Sequence, residues 1–386
     1  MKELLSDNGR FVAIQQDDGN FVVYEHPNNK VAWSMFSEIG NRNEDNEDIP
    51  NNPPSNPNPN PNPPDFNPSL FATIEDNVNP IGMAYWRNIN NHRDRNEMYI
   101  FLSVDDELIL YTVSKSNLAV IGKKSLLIHH TGEGCYFSAR DYNILYVTIN
   151  NTLNRINVET GDRETVWQSD YNLWQCHTSY DDKTHSASLK DSNWDIKYWG
   201  VYKNGNQKKY DLHAEPDECQ IDMSGKYLTA KETNNEKLQN RIITLSTNED
   251  RTITNEQGSL GHSDCGFGCM IGENAKSQVP GALDYINLET LHRALMYSTG
   301  IWNMGYVSFT NARDWQIEKQ KCLVSTPSEL ISVNLDGSGQ GRVVCNNLTQ
   351  SQEYEDRPKA NLCPNGEFAI WTAKVDGRMS AYLVRV

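Results

Sequence analysis

The sequence predicts an all-β protein in three parts: a small β-sheet module, a Pro/Asn-rich linker and a seven-bladed β-propeller. Three observations predict it. Residues 70–386 are a succession of short apolar or alternating runs, at 98–104, 108–113, 144–149 and 241–245 among others. Turn signals such as Asp222-Met223-Ser224-Gly225, Asp336-Gly337, Asn365-Gly366 and Asp376-Gly377 separate further runs. Runs of this length bounded by Gly, Asn and Asp read as strands, and only 287–297 has a helical flavour. A repeat underlies the runs: similar segments recur around Cys135, Cys176, Cys219, Cys269 and Cys363, with Met83 and Tyr306 as divergent copies. Successive copies lie 52, 41, 43, 50, 37 and 57 residues apart, close to the ~40–50 residues of one propeller blade. Finally, residues 50–68 hold nine of the 16 prolines, mostly alternating with asparagine, a composition that packs no core.

These observations divide the chain into a module at 1–40, a linker at 41–69 and a propeller at 70–386. In the module, Gln16, Asp18, Asn20, Val22 and Tyr24 alternate along one segment. Residues two apart on a strand share a face. The five would therefore present a carboxylate, two amides and a phenol around one apolar contact, the set that sugar hydroxyls and a ring C–H face require. The same residues also describe a half-buried hairpin in which Asp17-Asp18-Gly19-Asn20 is only a turn. The linker opens with the acidic run 41–48, and its Pro/Asn stretch is expected to be extended, near polyproline II. In the propeller, the segment Ala381-Tyr382-Leu383-Val384-Arg385-Val386 is a strand placed to close the ring beside the chain near residue 70. The eight cysteines are expected to be free, buried structural thiols recurring at one position of the innermost strands, where small apolar side chains fit.

The Gln-x-Asp-x-Asn-x-Val-x-Tyr pattern of residues 16–24 resembles that of bulb-type, monocot mannose lectins. The likeness extends over 2–36 through Leu4–Val12 and Ala32-Trp33-Ser34. It implies a mannose-type sugar held by Gln16, Asp18, Asn20 and Tyr24, with Val22 packed on it. Lectins of this type are similar to three-sided β-prisms built from three repeats. One repeat here implies either docking on the rest of the protein or a homotrimer in which each chain supplies one side. The turns at Asp222–Leu228 and Cys363–Ala369 resemble the Ser-Pro-Asp-Gly-Lys turn of WD40-like and polysaccharide-lyase-type propellers, a likeness at the level of fold.

Loops leading into the inner strands of a propeller gather around its axis. That rim would collect His177, His213, Glu215, Asp217, His262, Asp264, Trp302, Asn303, Asp356 and Arg357. Of these, His213, His262, Asp264 and Arg357 are the catalytic candidates. Oligogalacturonate lyases use this architecture with histidines and a glutamine around a divalent metal, so a lyase or hydrolase with a rim metal is one alternative. No metal or other cofactor is otherwise expected. Trp86, Trp174, Trp194, Trp199 and Trp302 are candidate sugar platforms if exposed at the rim.

Composition narrows the partners. The net charge is −16, from 51 acidic and 35 basic residues, without a basic block. Nucleic acid is therefore not an expected partner. No run approaches 18 apolar residues, so no membrane-inserting helix is expected. The segment from Met1 to Asn8 lacks the apolar core of a secretion signal. The leading expectation is a glycan-binding adhesin for mannose-type or cell-surface polysaccharide. It would be carried on a virion, as a phage tail or receptor-binding protein, or be extracellular by another route; otherwise it would be cytoplasmic. The alternatives are the rim enzyme and a non-catalytic propeller scaffold.

Overall fold

The computed structural model describes residues 2–5, 11–15, 21–25, 30–34, 72–79, 87–91, 95–129, 134–274, 276–300, 307–309, 320–350, 353 and 356–386. The chain divides into two compact units, Met1–Pro61 and Asn62–Val386. In the first, strands Lys2–Leu5, Phe11–Gln15, Phe21–Glu25 and Lys30–Ser34 form one antiparallel sheet in chain order. Val22 and Tyr24 lie on its third strand, opposite Ile14 and Val12 of the second. Gln16, Asp18 and Asn20 lie outside the described residues, as does the linker.

The second unit is a seven-bladed propeller of four-stranded antiparallel sheets. Blade 1 spans 89–129, blade 2 135–168, blade 3 172–211, blade 4 215–253, blade 5 263–298 and blade 6 307–346. Blade 7 takes three strands from 361–385 and its outermost strand from Ala72–Asp76. The ring closes as the sequence predicts: Arg378–Arg385 pairs with Ala72–Asp76, Leu383 opposite Ala72 and Ser380 opposite Asp76. The Ser380 hydroxyl also donates to Asp76 Oδ1 at 2.6 Å.

Each blade is covered by a neighbour on both faces, so its central strands carry near-continuous apolar runs instead of an in–out alternation. Seven apolar clusters fill the seven spaces between blades. For example, Phe101, Leu108 and Leu110 of blade 1 pack on Cys135, Phe137 and Leu145 of blade 2, and Ile74, Phe368 and Leu383 of blade 7 pack on Ile89, Met98 and Ile100 of blade 1. The inner turns are fixed by their own polar residues. In blade 4, Asp222 Oδ1 accepts from the N–H groups of Lys226 and Tyr227 at 2.9 and 2.8 Å, and Gly225 turns the chain at φ +67°. Asp222 Oδ2 accepts from Gly268 N–H of blade 5 at 2.9 Å, so one carboxylate builds a turn and ties two blades.

Two sequence expectations are corrected. The segment 287–297 is not helical: strands Ala282–Asn287 and Arg293–Ser298 meet there at a turn capped by Asn287 Oδ1, which accepts from Glu289 and Thr290 N–H. The cysteines do not share one position. Cys135, Cys176 and Cys219 do, each three residues before the N–H that closes the inner turn (Ser138 onto Ile144 O, Ser179 onto Thr184 O, Asp222 onto Tyr227 O, each 2.9 Å). The matching bond in blade 5, Gly266 onto Cys269 O, places Ser263 at that position, and in blade 7 Cys363 onto Phe368 O places Ala360 there. The blade 5 turn is short, so Cys265 and Cys269 stand on opposite sides of one hairpin. Cys322 lies on a second strand and Cys345 on an outermost one. All eight are free thiols, seven of them buried.

Candidate functional site

Because each blade has four strands, every inner strand begins on the same side of the propeller. This leading face also carries the turns between second and third strands. Its geometry sorts the candidates. His262 precedes the blade 5 inner strand, Ser263–Cys265. Burial, then the charges of Lys231, Lys359 and Arg357, push its pKa down to about 4, so the imidazole is neutral. Lys231 lies on the second strand of blade 4, and its ammonium contacts Glu218 and stands 3.8 Å from Asp217. Lys359, buried, and Arg357, exposed, lead into blade 7. Asp264, two residues deeper than His262, is buried and accepts from the N–H of Cys265 at 2.8 Å.

His213 is drawn elsewhere. Its backbone N–H donates to Glu232 at 3.3 Å, and its ring Nε2 lies 3.8 Å from Asp250 on the outermost strand of blade 4. Asp356 pairs with Lys374 at 2.8 Å, and Glu215 is exposed. The structure thus separates the candidates: His213 stands beside Asp250 on the outermost strand of blade 4, while His262 leads into the inner strand of blade 5. Among the described residues, no group of three or more His, Cys, Asp or Glu side chains converges.

The axis is crossed by a residue that sequence reasoning missed. Arg87, buried, donates from Nη2 to Thr178 O at 3.2 Å and from Nη1 to Met223 Sδ at 3.7 Å, with its guanidinium 5.5 Å from the centre of the Tyr136 ring. One side chain of blade 1 thereby touches blades 2, 3 and 4. The Tyr136 hydroxyl meets Thr178 Oγ1 at 2.6 Å, and Thr178 Oγ1 meets His185 Nδ1 at 2.8 Å. Around it, Asn90, Tyr136, His177, Gln220, Asp264 and Asn361 hold one equivalent inner-strand position, and all are buried. The only sequence signal was polar residues interrupting apolar inner strands.

Blade 3 carries exposed aromatic surface on the leading face. Trp194 packs edge-to-face on Trp174, centroids 6.0 Å apart at 82°. The Lys190 ammonium lies 3.9 Å from the Trp174 ring centre and 5.7 Å from that of Trp194. Trp194 is 44% exposed and sits at φ +66°, a left-handed conformation unusual for a bulky residue. Asp191 holds that turn: its Oδ1 accepts from Asn193 and Asp195 N–H at 2.8 and 3.1 Å, and Lys197 reaches its carboxylate at 3.2 Å. Alongside, Tyr171 and Tyr198 form a second edge-to-face pair at 5.5 Å, with the Lys209 ammonium 4.4 Å from Tyr171. Trp199 is fully buried and donates to Glu232 at 2.8 Å, so it is no platform. Trp86, Trp302 and Asn303 lie outside the described residues.

No family model and no curated protein matches the sequence. Solved structures do match in fold. One, an oligogalacturonate lyase in complex with manganese, has a TM-score of 0.52 at 11% identity, covering 100% of this chain and 97% of that one. A chain of a mitotic checkpoint complex has a TM-score of 0.51 at 12% identity, covering 90% and 99%. The hydrazine synthase of Kuenenia stuttgartiensis has a TM-score of 0.50 at 13% identity, covering 80% and 97%. At these identities the likeness is one of architecture: the chain contains a seven-bladed β-propeller.

Proposed function

We propose that this protein binds carbohydrate, with the Trp174–Trp194 pair of blade 3 as the stacking platform. The carrying observation is Trp194, a large indole held outward at a left-handed backbone position by a turn whose polar groups are satisfied. Strain maintained by its surroundings is a mark of functional positions. An aromatic face beside an ammonium donor suits a pyranose, which offers C–H groups on one face and hydroxyls around its edge. The pattern Gln16, Asp18, Asn20, Val22 and Tyr24 supports a second sugar contact in the N-terminal unit, of mannose type, in keeping with an adhesin.

A glycan array with the full chain tests this. Trp194→Ala is expected to weaken binding about fivefold, the loss of roughly 1 kcal/mol of stacking. Asp18→Ala with Asn20→Ala is expected to remove only mannose-type ligands. Unchanged binding in the Trp194 variant would dismiss the platform, and no binding to any glycan would leave a scaffold. A lyase is the weaker reading. With its pKa near 4, His262 is a poor general base at neutral pH.

A further inference from the structure

Between blades 4 and 5 the apolar filling gives way in one place to polar side chains. Glu218 and Gln220 of the inner strand of blade 4, Lys231 of its second strand, Asn240 of its third and Ser263 of the inner strand of blade 5 are all buried. They line one cavity of about 10 Å³, room for about one water. Most of these groups have partners. Lys231 contacts Glu218 and stands 3.8 Å from Asp217, which is exposed, so the ion pair runs from the cavity wall to the surface. The Asn240 carboxamide is satisfied by Leu260, donating to its carbonyl at 3.1 Å and accepting from its N–H at 2.6 Å. Gln220 differs. Its Nε2 donates to Ser263 O at 3.1 Å, but its Oε1 is buried with no hydrogen-bond partner among the described residues. Turning the amide over would set Oε1 against the Ser263 carbonyl, acceptor to acceptor, so the orientation is fixed by the backbone of blade 5. A buried acceptor left unpaired is costly and uncommon, and this one borders a cavity.

We propose that the cavity is a binding site for one internal water, which donates to Gln220 Oε1 and to the Glu218 carboxylate and accepts from the Lys231 ammonium. Three partners are the usual number for a buried water. The volume excludes a larger ligand, and Glu218 and Lys231 balance each other's charge, so no ion is required. The water also solvates the ion pair, which lowers the desolvation cost of burying it. The site is separate from the blade 3 platform and stands whether or not Trp194 stacks a sugar.

Two measurements on the full chain test the proposal: a crystal structure at a resolution that orders water, and magnetic relaxation dispersion of the water oxygen, which counts waters held for longer than the protein takes to tumble. The crystal structure is expected to place one water within hydrogen-bond distance of Gln220 Oε1, Glu218 and Lys231. Gln220→Met, of similar volume and without the acceptor, is expected to lower the count of long-lived waters by one, with its folding checked by circular dichroism. A cavity without water density would overturn the proposal, as would Gln220 Oε1 bonded directly to Lys231, or a count that Gln220→Met leaves unchanged. Should that variant not fold, the wild-type crystal structure decides alone.

Discussion

Glu232 is where four groups of blades 3 and 4 meet. Its carboxylate accepts from Trp199 Nε1 and Arg241 Nη1, each at 2.8 Å, from His213 N–H at 3.3 Å and from Gln239 Nε2 at 3.4 Å. Arg241 is buried and bridges onward to Asp250. Removing one partner of a buried pair leaves the other charge uncompensated. Glu232→Gln is expected to lower unfolding free energy by about 3 kcal/mol, read from denaturant midpoints. The buried histidines make a separate forecast. Burial, with the Arg87 charge, pushes His177 down to about 3, and burial pushes His185 down to about 4. The native state thus binds fewer protons than the unfolded chain, whose imidazoles titrate near 6.5. Their contribution is complete above about pH 6.5 and is lost as pH falls below that value, at up to ~1.4 kcal/mol per pH unit for each. Urea midpoints measured from pH 7 to 4 are expected to fall, and His185→Gln to flatten the decline.

At the scale of strands and blades, the sequence was legible where a property repeats. Blade number, the turns at Asp222 and Cys363, and closure by the C-terminal strand follow from runs and turn residues alone. The register of blade 5 was not legible, because Cys265 and Cys269 are equally small and apolar and only the shortened turn decides which is inner. Nor was the segment 287–297, where Leu288 and Leu291 lie in the turn capped by Asn287 and Leu295 lies on the strand that follows. Closure gives the forecast proper to this scale. Removing residues 1–61 is expected to leave the thermal transition of the propeller unchanged. Removing 1–76 also takes away the outermost strand of blade 7, exposing the ladder edge of Arg378–Arg385. That truncation is expected to lower the transition temperature by several degrees, since ~1 kcal/mol corresponds to a few degrees in a domain this large, as differential scanning calorimetry would show.

For the whole molecule, fold and site were unequally visible. A propeller is a periodic object, and periodicity survives in sequence. The leading face is assembled from loops of every blade, and no spacing along the chain encodes which side chains meet there. His213 and His262 precede consecutive inner strands, yet His213 is exposed beside Asp250 on an outer strand and His262 is half-buried with its pKa pushed down by burial. Arg87 was invisible for the same reason: its role depends on a path across the ring, from blade 1 to Thr178 and Met223.

The pairing of Ser380 with Asp76 joins residues 304 positions apart, which sets an order of events at the ribosome. At ~5–20 residues per second, about 15–60 s separate synthesis of the two halves of blade 7. Throughout that interval the strand Ala72–Asp76 has no partner. The six other blades can form as they emerge, but the ring stays open until translation is nearly complete. A ribosome stalled anywhere before residue 378 would hold an unclosed crescent with a bare sheet edge, a species exposed to chaperones, to proteases and to the same edge of a neighbouring nascent chain.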